Sequence, residues 1–411
     1  MADPTIRQNV VAVLLKLQID DDTPAVPDPA LDAIPVEADS VTTASPWTTE
    51  ASNEATGSQV AGAPLIIGQP ATFSFRSRIK GAGAGTAYTA MVKPPLHQAL
   101  AMAAWKPQFH AAIVAAPATA GTANTVTLAN TFPAIARALL GASLSVIAGA
   151  GAGATPSVVD YSAGRVATLA DTFDPPLDAT SSVGLPAMWT YAQTSPTDQA
   201  ARLSDQPSAT IYIYRDGTLK RYRSCRATMA IEGQNARPGY ATFNITGIYD
   251  GEVDAAIPAN LAIAGHSAPV LVQGAATSKA ALLNRKPLTI SSWSLDPGSQ
   301  IENVDDPNTP YGFGAGQIVD RASQITVDPL KTLIANRDTI TDIGNGVRMP
   351  AVFRYGSQAG NRWSFVGPIA QPVSSEEATR GRLVSENMTL QLLSGGKDAY
   401  GRDGDRILAF S

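Results

Sequence analysis

Three histidines, one cysteine and a few clusters of charge are the residues of this chain that invite a chemical reading. His97 follows Pro94-Pro95 and could serve as a metal ligand or a base. With His110 and His266 as the other two, and no His-x-x-x-His spacing, a structural or surface role fits better. Cys225 stands alone, so the chain has neither an intramolecular disulfide framework nor a cysteine zinc site. It lies in a strand-like run, which suits a half-buried apolar role rather than a nucleophile. The segment Gly265-His266-Ser267-Ala268-Pro269 nearly spells a nucleophile elbow but lacks the closing glycine and a strand-to-helix setting. Ser77-Arg78-Ile79-Lys80 matches S-x-x-K, yet on an alternating stretch rather than at a helix start. The GAGAG segments 81–85 and 149–153 are followed by no Lys-Ser/Thr pair, so they read as turn glycines, not phosphate loops. Asp398, Asp403 and Asp405 resemble calcium ligands but lack the terminal glutamate, and a solvated tail is the simpler reading. Neither a carboxylate pair nor a triad emerges, so the expectation is no enzyme, no cofactor and no metal.

The basic cluster Arg215, Lys220, Arg221, Arg223 and Arg226 could be a nucleic-acid stripe. Alternation would place Arg221, Arg223 and the Cys225 thiol on one face. Ion pairs to the carboxylates of a neighbouring subunit are favoured there, with phosphate contact as the lesser reading.

The elements that must carry these residues are mostly strands. Ile211 to Asp250 alternates in hydrophobicity, turns at Asp216-Gly217 and breaks at Gly239, the pattern of antiparallel strands joined by tight turns. Residues 351–393 repeat it more weakly, with a turn at Gly360-Asn361, a glycine at Gly381 and a closing alternation of Met388, Leu390 and Leu392. Val10–Ile19 reads as helix or strand, and its β-branched residues tilt it to strand. Gln69–Ile79 alternates again, with Ala71, Phe73 and Phe75 on one face. Pro94-Pro95 opens a short helix with apolar positions at Leu96, Leu100, Ala103 and Ala104. Residues 113–187 hold short strands between glycine-rich and Asp-Pro turns, with a helix at most over Ala134–Leu140, and read as a small β module placed in a loop. After a linker, Leu288–Leu295, Ile318–Val327, Ala351–Phe365 and Met388–Leu393 form a second set, with Pro329–Ile334 as a counterpart of the first helix. The tail from 395 onward is polar with an apolar tip.

Charged residues make up only 16% of the chain, which suits a protein that buries much of its exterior against copies of itself. The net charge of −5 is concentrated. Residues 1–56 hold ten carboxylates against Arg7 and Lys16, and segment 20–58 reads as an acidic, proline-rich arm or long loop. The remainder is slightly basic without a stripe able to hold nucleic acid firmly. No signal peptide and no membrane-length apolar run is read, so a soluble protein made in the cytoplasm is expected.

In this order the segments resemble the major tail tube proteins of long-tailed, siphovirus-type bacteriophages. GQPATFSFRSRIKGAGAG looks like that family's strand and glycine-rich loop, KPPLHQALAMAAW like its short helix, and ATIYIYRDGTLKRYRSCRATMAIEGQNARPGYATFNITGIYDG like its closing hairpin block. LTISSWSLDPGSQIENVDDPN and GQIVDRASQITVDP resemble its C-terminal part. The match covers nearly everything outside residues 113–187, which resemble a β module that recurs in phage structural proteins.

The resemblance implies a mainly β chain with two related tail-tube-type β-barrel or sandwich domains in tandem, each with a short helix. The first comprises 1–112 and 188–255, the second 256–411, and 113–187 is an inserted decoration module. It implies a virion protein whose copies stack as rings around a channel for genome ejection. Because the family's rings carry six barrel units, a chain with two makes a homotrimeric ring with pseudo-sixfold symmetry, a hexamer remaining open. Implied partners are further copies, the tape measure protein, and tail terminator and tip proteins. DNA passes transiently, without sequence-specific binding, and no membrane is involved. Asp20, Asp21, Asp22, Glu50 and Glu54 on the arm, with Arg221 and Arg223, are the candidates for ring and stacking contacts. Acidic residues are expected to outnumber basic ones on the inner wall, since a basic bore would hold phosphate. The rival reading is a receptor- or carbohydrate-binding protein of the tail tip or fibre. It needs exposed aromatics on the insert, where Phe132, Tyr161 and Phe173 are the candidates.

Overall fold

The computed structural model describes residues 5–411 apart from 44, 56, 58, 61, 264–267 and 272–277. His266 and the Gly265-His266-Ser267 part of the elbow-like segment lie outside the described residues. Strand accounts for 45% of the structure and helix for 6%, so the chain is mainly β as its alternation predicts. The first strand, β1 (Val11–Leu17), is buried on both faces from Ala12 to Leu15, which explains its unbroken apolar run. It pairs with β2 (Ala33–Ile34) on one side. Next, β3 (Trp47–Glu50) and β4 (Leu65–Gly68) form a separate two-stranded sheet. β5 (Ala71–Arg78) buries Ala71, Phe73 and Phe75 on one face as its alternation requires. The short helix α1 (His97–Met102) follows Pro94-Pro95 and buries Ala99 to Met102. Ala104, at φ 61°, then turns the chain into β6 (Trp105–His110).

Seven short strands come next: β7 (Ile113–Pro117), β8 (Ala120–Gly121), β9 (Thr125–Thr127), β10 (Ser145–Ala148), β11 (Val158–Tyr161), β12 (Val166–Leu169) and β13 (Ser182–Leu185). They make two small sheets, β10-β13-β7 and β11-β12-β9-β8, over a core that includes Val126, Leu128, Leu144, Val158 and Leu169. Residues 134–140 form turns rather than a helix. Ile113 pairs with Leu185, so the chain leaves this region beside the point where it entered. β14 (Met188–Gln193) returns antiparallel to β6 with Met188 opposite His110. After α2 (Gln199–Asp205), whose first turn is capped by Asp198 accepting from Ala201 N, comes a long meander. It consists of β15 (Ala209–Arg215), β16 (Thr218–Gln234) and β17 (Tyr240–Asp254). Arg215 opposes Thr218 across Asp216-Gly217, both at positive φ, which fits the twist of a two-residue hairpin.

The remaining strands are β18 (Ala281–Leu283), β19 (Lys286–Pro287), β20 (Ser292–Asp296), β21 (Ser299–Asp305), β22 (Phe313–Arg321) and β23 (Gln324–Val327). Helix α3 (Thr339–Gly344) precedes a second meander of β24 (Met349–Tyr355), β25 (Trp363–Arg380) and β26 (Leu383–Leu392), and β27 (Ile407–Phe410) ends the chain. The helix lies after Pro329–Ile334, not within it. Leu330 bridges Ser385 and Lys331 N donates to Val384 O, so that stretch extends the sheet edge, while Asp338 caps the helix by accepting from Thr341 N.

Among the described residues sixteen strands share one hydrogen-bonded sheet. Within it two runs have the same order: β2-β1-β15-β16-β17-β5 and β19-β18-β24-β25-β26-β23. In each run a two-stranded hairpin (β3–β4 or β21–β22) lies between the second strand and the last in chain order, and a short helix follows that last strand. Two junctions join the runs. β20 inserts between β23 and the last four residues of β16. β27 inserts between β25 and β14. Among the described residues the pairings do not close into a barrel within one chain.

The C-terminal tail departs from the solvated segment its polarity predicts. Ile407 to Phe410 are all buried, and so are Asp398, Arg402, Asp403, Asp405 and Arg406. The charges are tolerated because they pair: Arg402 Nε donates to Asp398 Oδ2 at 2.7 Å, and Arg321 Nη2 to Asp403 Oδ2 at 2.8 Å.

Candidate functional site

His110 is a buried residue and His97 a partly buried one. His97 Nδ1 lies 2.8 Å from Tyr191 Oη with the ring edge-on to Trp189, and burial with nearby Lys93 pushes it down to about 4. His110 Nε2 lies 2.9 Å from Thr190 Oγ1, and burial beside Arg402 also lowers it to about 4. Cys225 is fully buried, which pushes its thiol well above the usual range and removes the thiolate a nucleophile needs. Asp403 and Asp405 face Arg321 rather than one another, and among the described residues no cluster of His, Cys, Asp and Glu could hold a metal ion. Among the same residues no helix is long and apolar enough to cross a membrane. The three aromatics of the insert are buried, Phe132 and Tyr161 almost completely.

The basic cluster does not sit as simple alternation predicts. Ser224, at φ 51°, forms a bulge where the β16–β17 register shifts between Arg223 and Arg226. The bulge reverses the parity, so Tyr222, Cys225, Ala227 and Met229 all face the core while Arg221 and Arg223 are half-buried on the other side. Arg226 becomes the buried cation. Its Nη2 donates to Asp21 Oδ1 at 2.7 Å, Nη1 to Gly316 O at 2.7 Å and Nε to Gln206 O at 3.0 Å. A guanidinium held by three elements at 0% side-chain exposure carries a large desolvation cost, and these acceptors offset it.

Asp21 is thereby spoken for inside the subunit. Asp20 accepts from Thr23 N at 2.6 Å and from Asp22 N at 2.9 Å, closing a local turn and holding its carboxyl below the usual range. Asp22 stays exposed. The first part of the expected arm is therefore a strap, not a projection. Glu37 N donates to Arg76 O and Thr42 N to Ser74 O, so residues 37–42 run along the outer edge of β5. Glu50 and Glu54 lie beyond it and are exposed, Glu50 on β3.

Exposed apolar surface concentrates where the strap ends. Leu65, Ile66 and Ile67 of β4 are 58%, 70% and 43% exposed, and Trp47 on β3 is 48% exposed. Water contacts both faces of this hairpin, which isolated two-stranded sheets do not survive without a partner. Its base is fixed against the chain: Trp47 meets Tyr311 edge-on at 5.1 Å, and a side chain at Gly68 would collide with the Tyr311 backbone. The corresponding hairpin β21–β22 has a partner. It lies on β16 and β17, with Gly316 O accepting from Arg226 and Gln317 Oε1 from Arg202. A free strand edge completes the picture: among the described residues, 374–380 of β25 pair with β26 only. The alternation in sequence gave no signal for the strap, the bulge or the tail, because each depends on partners outside the local pattern: Ser74 and Arg76 for the strap, Gln18 for the bulge and Arg321 for the tail.

No protein family matches this chain, and no curated protein matches it either.

Proposed function

We propose that the chain is a structural virion protein, the major tail tube subunit of a long-tailed phage, whose copies close into stacked rings around the channel for genome ejection. One observation carries this reading: a six-strand order occurs twice in one continuous sheet, each time accompanied by its own separate hairpin and a short helix. On it, residues 1–112 with 188–255 and residues 256–411 are two tail-tube domains, and 113–187 is a decoration module on the outside. A sheet that passes from one domain to the next by β20 joining β16 can pass from one copy to the next by the same joint. Such a head-to-tail contact closes into a ring, and three copies of a two-domain chain give pseudo-sixfold symmetry. The burial of Phe132, Tyr161 and Phe173 weighs against the tip or fibre receptor reading, because sugar binding uses exposed rings.

Negative-stain microscopy of the purified protein, with light scattering, tests the proposal. Rings or tubes with a central channel are expected, and single rings should have three times the 42.6 kDa subunit mass. A protein that stays monomeric at every concentration up to precipitation, or assembles without a channel, would overturn it. Within such a tube the tape measure, terminator and tip proteins and the passing DNA are the partners.

A further inference from the structure

We propose that the β3–β4 hairpin and strap 37–42 of one copy seat on the β25–β26 meander of the next copy, repeating between copies the contact that β20 and the β21–β22 hairpin make with β16–β17 within one. The inference rests on the tube reading and names its lateral joint.

Inside the chain the joint has two parts. β20 lies between the outer edge of β23 and the last four residues of β16, Ile231 opposite Leu295 and Gln234 opposite Ser292. The hairpin that follows, β21–β22, then crosses the outer face of the same meander, where Ile301 faces Thr228 and Asn244. In the first run both donor parts are present, and among the described residues neither lies on a meander as β20 and β21–β22 do. Strap 37–42 holds the place of β20, hydrogen-bonded along β5 as β20 is along β23. The hairpin that follows it, β3–β4, carries Leu65, Ile66 and Ile67 into solvent.

The second run supplies the matching acceptor. Among the described residues the last part of β25 has one edge unpaired, where β16 has β20. The outer face there presents Ser374 and Asn387, small and polar like Thr228 and Asn244, with the carboxylate of Glu376 beside them, and all three are exposed. A sheet edge left open beside an apolar hairpin is an aggregation hazard in a monomer, and a second copy that uses both removes it. The occupant is therefore this chain itself. A covalent bond is not involved; the contact is backbone pairing plus burial of the β4 side chains.

A photo-crosslinking residue placed at Ile66 in the full chain tests the joint, read by mass spectrometry of the covalent dimer. Adducts within residues 373–391 of a second copy are expected. Ile66→Asp, at an exposed position, should keep the monomer's thermal transition yet lower the assembled fraction about tenfold or more, because docking would bury the charge. Rings that form while the adducts map elsewhere, or that tolerate Ile66→Asp, overturn this joint and leave the tube reading standing. A wild-type chain that never assembles overturns both.

Discussion

At the residue scale, the groups with catalytic chemistry serve the core, and their protonation is the measurable consequence. His97 and His110 are held neutral by burial at about 4, while in the unfolded chain they take up protons near the ordinary histidine value. A depressed folded value means the contribution is complete above about pH 6.5 and disappears as pH falls toward 4. Each histidine then withdraws on the order of 3 kcal/mol, since one unit corresponds to about 1.4 kcal/mol. Urea midpoints should drop between pH 7 and 4.5 in the wild type and drop less in a His97→Gln/His110→Gln variant. Equal slopes would show that other groups control acid stability. Arg226 and Asp21 make the complementary point: a cluster that looks suited to an external anion uses its last cation to tie the N-terminal segment around Asp21 to β16 and β22.

At the element scale, β27 matters more than its four residues suggest. It fills the gap between β25 and β14, and Phe410 meets Tyr191 edge-on at 5.6 Å. Losing it exposes two ladders at once and uncovers Ile407, Leu408 and Phe410 contacts of roughly 2 kcal/mol per side chain. Truncation after Asp405 should therefore lower the thermal midpoint by about 10 °C or more and open β14 to hydrogen exchange. A truncated chain with wild-type protection at Tyr191 would refute this. Meander turns, in contrast, are locally written: Asp216-Gly217 and Gly381-Arg382 each close a two-residue hairpin where glycine supplies positive φ.

At the scale of the whole molecule, the acidic segment 20–58 has two parts with opposite fates on deletion. Residues 20–42 hold Asp21 on Arg226, Asp32 on Gln98 and the strap on β5, so removing them should unfold the subunit rather than merely block assembly. Removing 47–68 and joining the ends should leave a folded monomer that no longer polymerises. Circular dichroism and sedimentation read the two outcomes, and tubes formed without 47–68 would end the hairpin's assembly role.

Alternation and turn residues alone determined the strand-rich character, the two meanders, β5, the helix at Pro94-Pro95 and the strands of the insert, because each is fixed by side chains a few residues apart. Tertiary structure alone decided the strap along β5, the parity reversal at Ser224, the position of α3 and the burial of the tail. In those places a local pattern met a distant partner: Ser224 N donates to Gln18 Oε1 206 residues away, and Arg402 reaches Thr190 O across 212. A polar tail with three aspartates looks solvated until Arg321, more than 80 residues away, takes Asp403 and Asp405, and the local Arg402–Asp398 pair is itself buried; separation along the chain conceals the first partner.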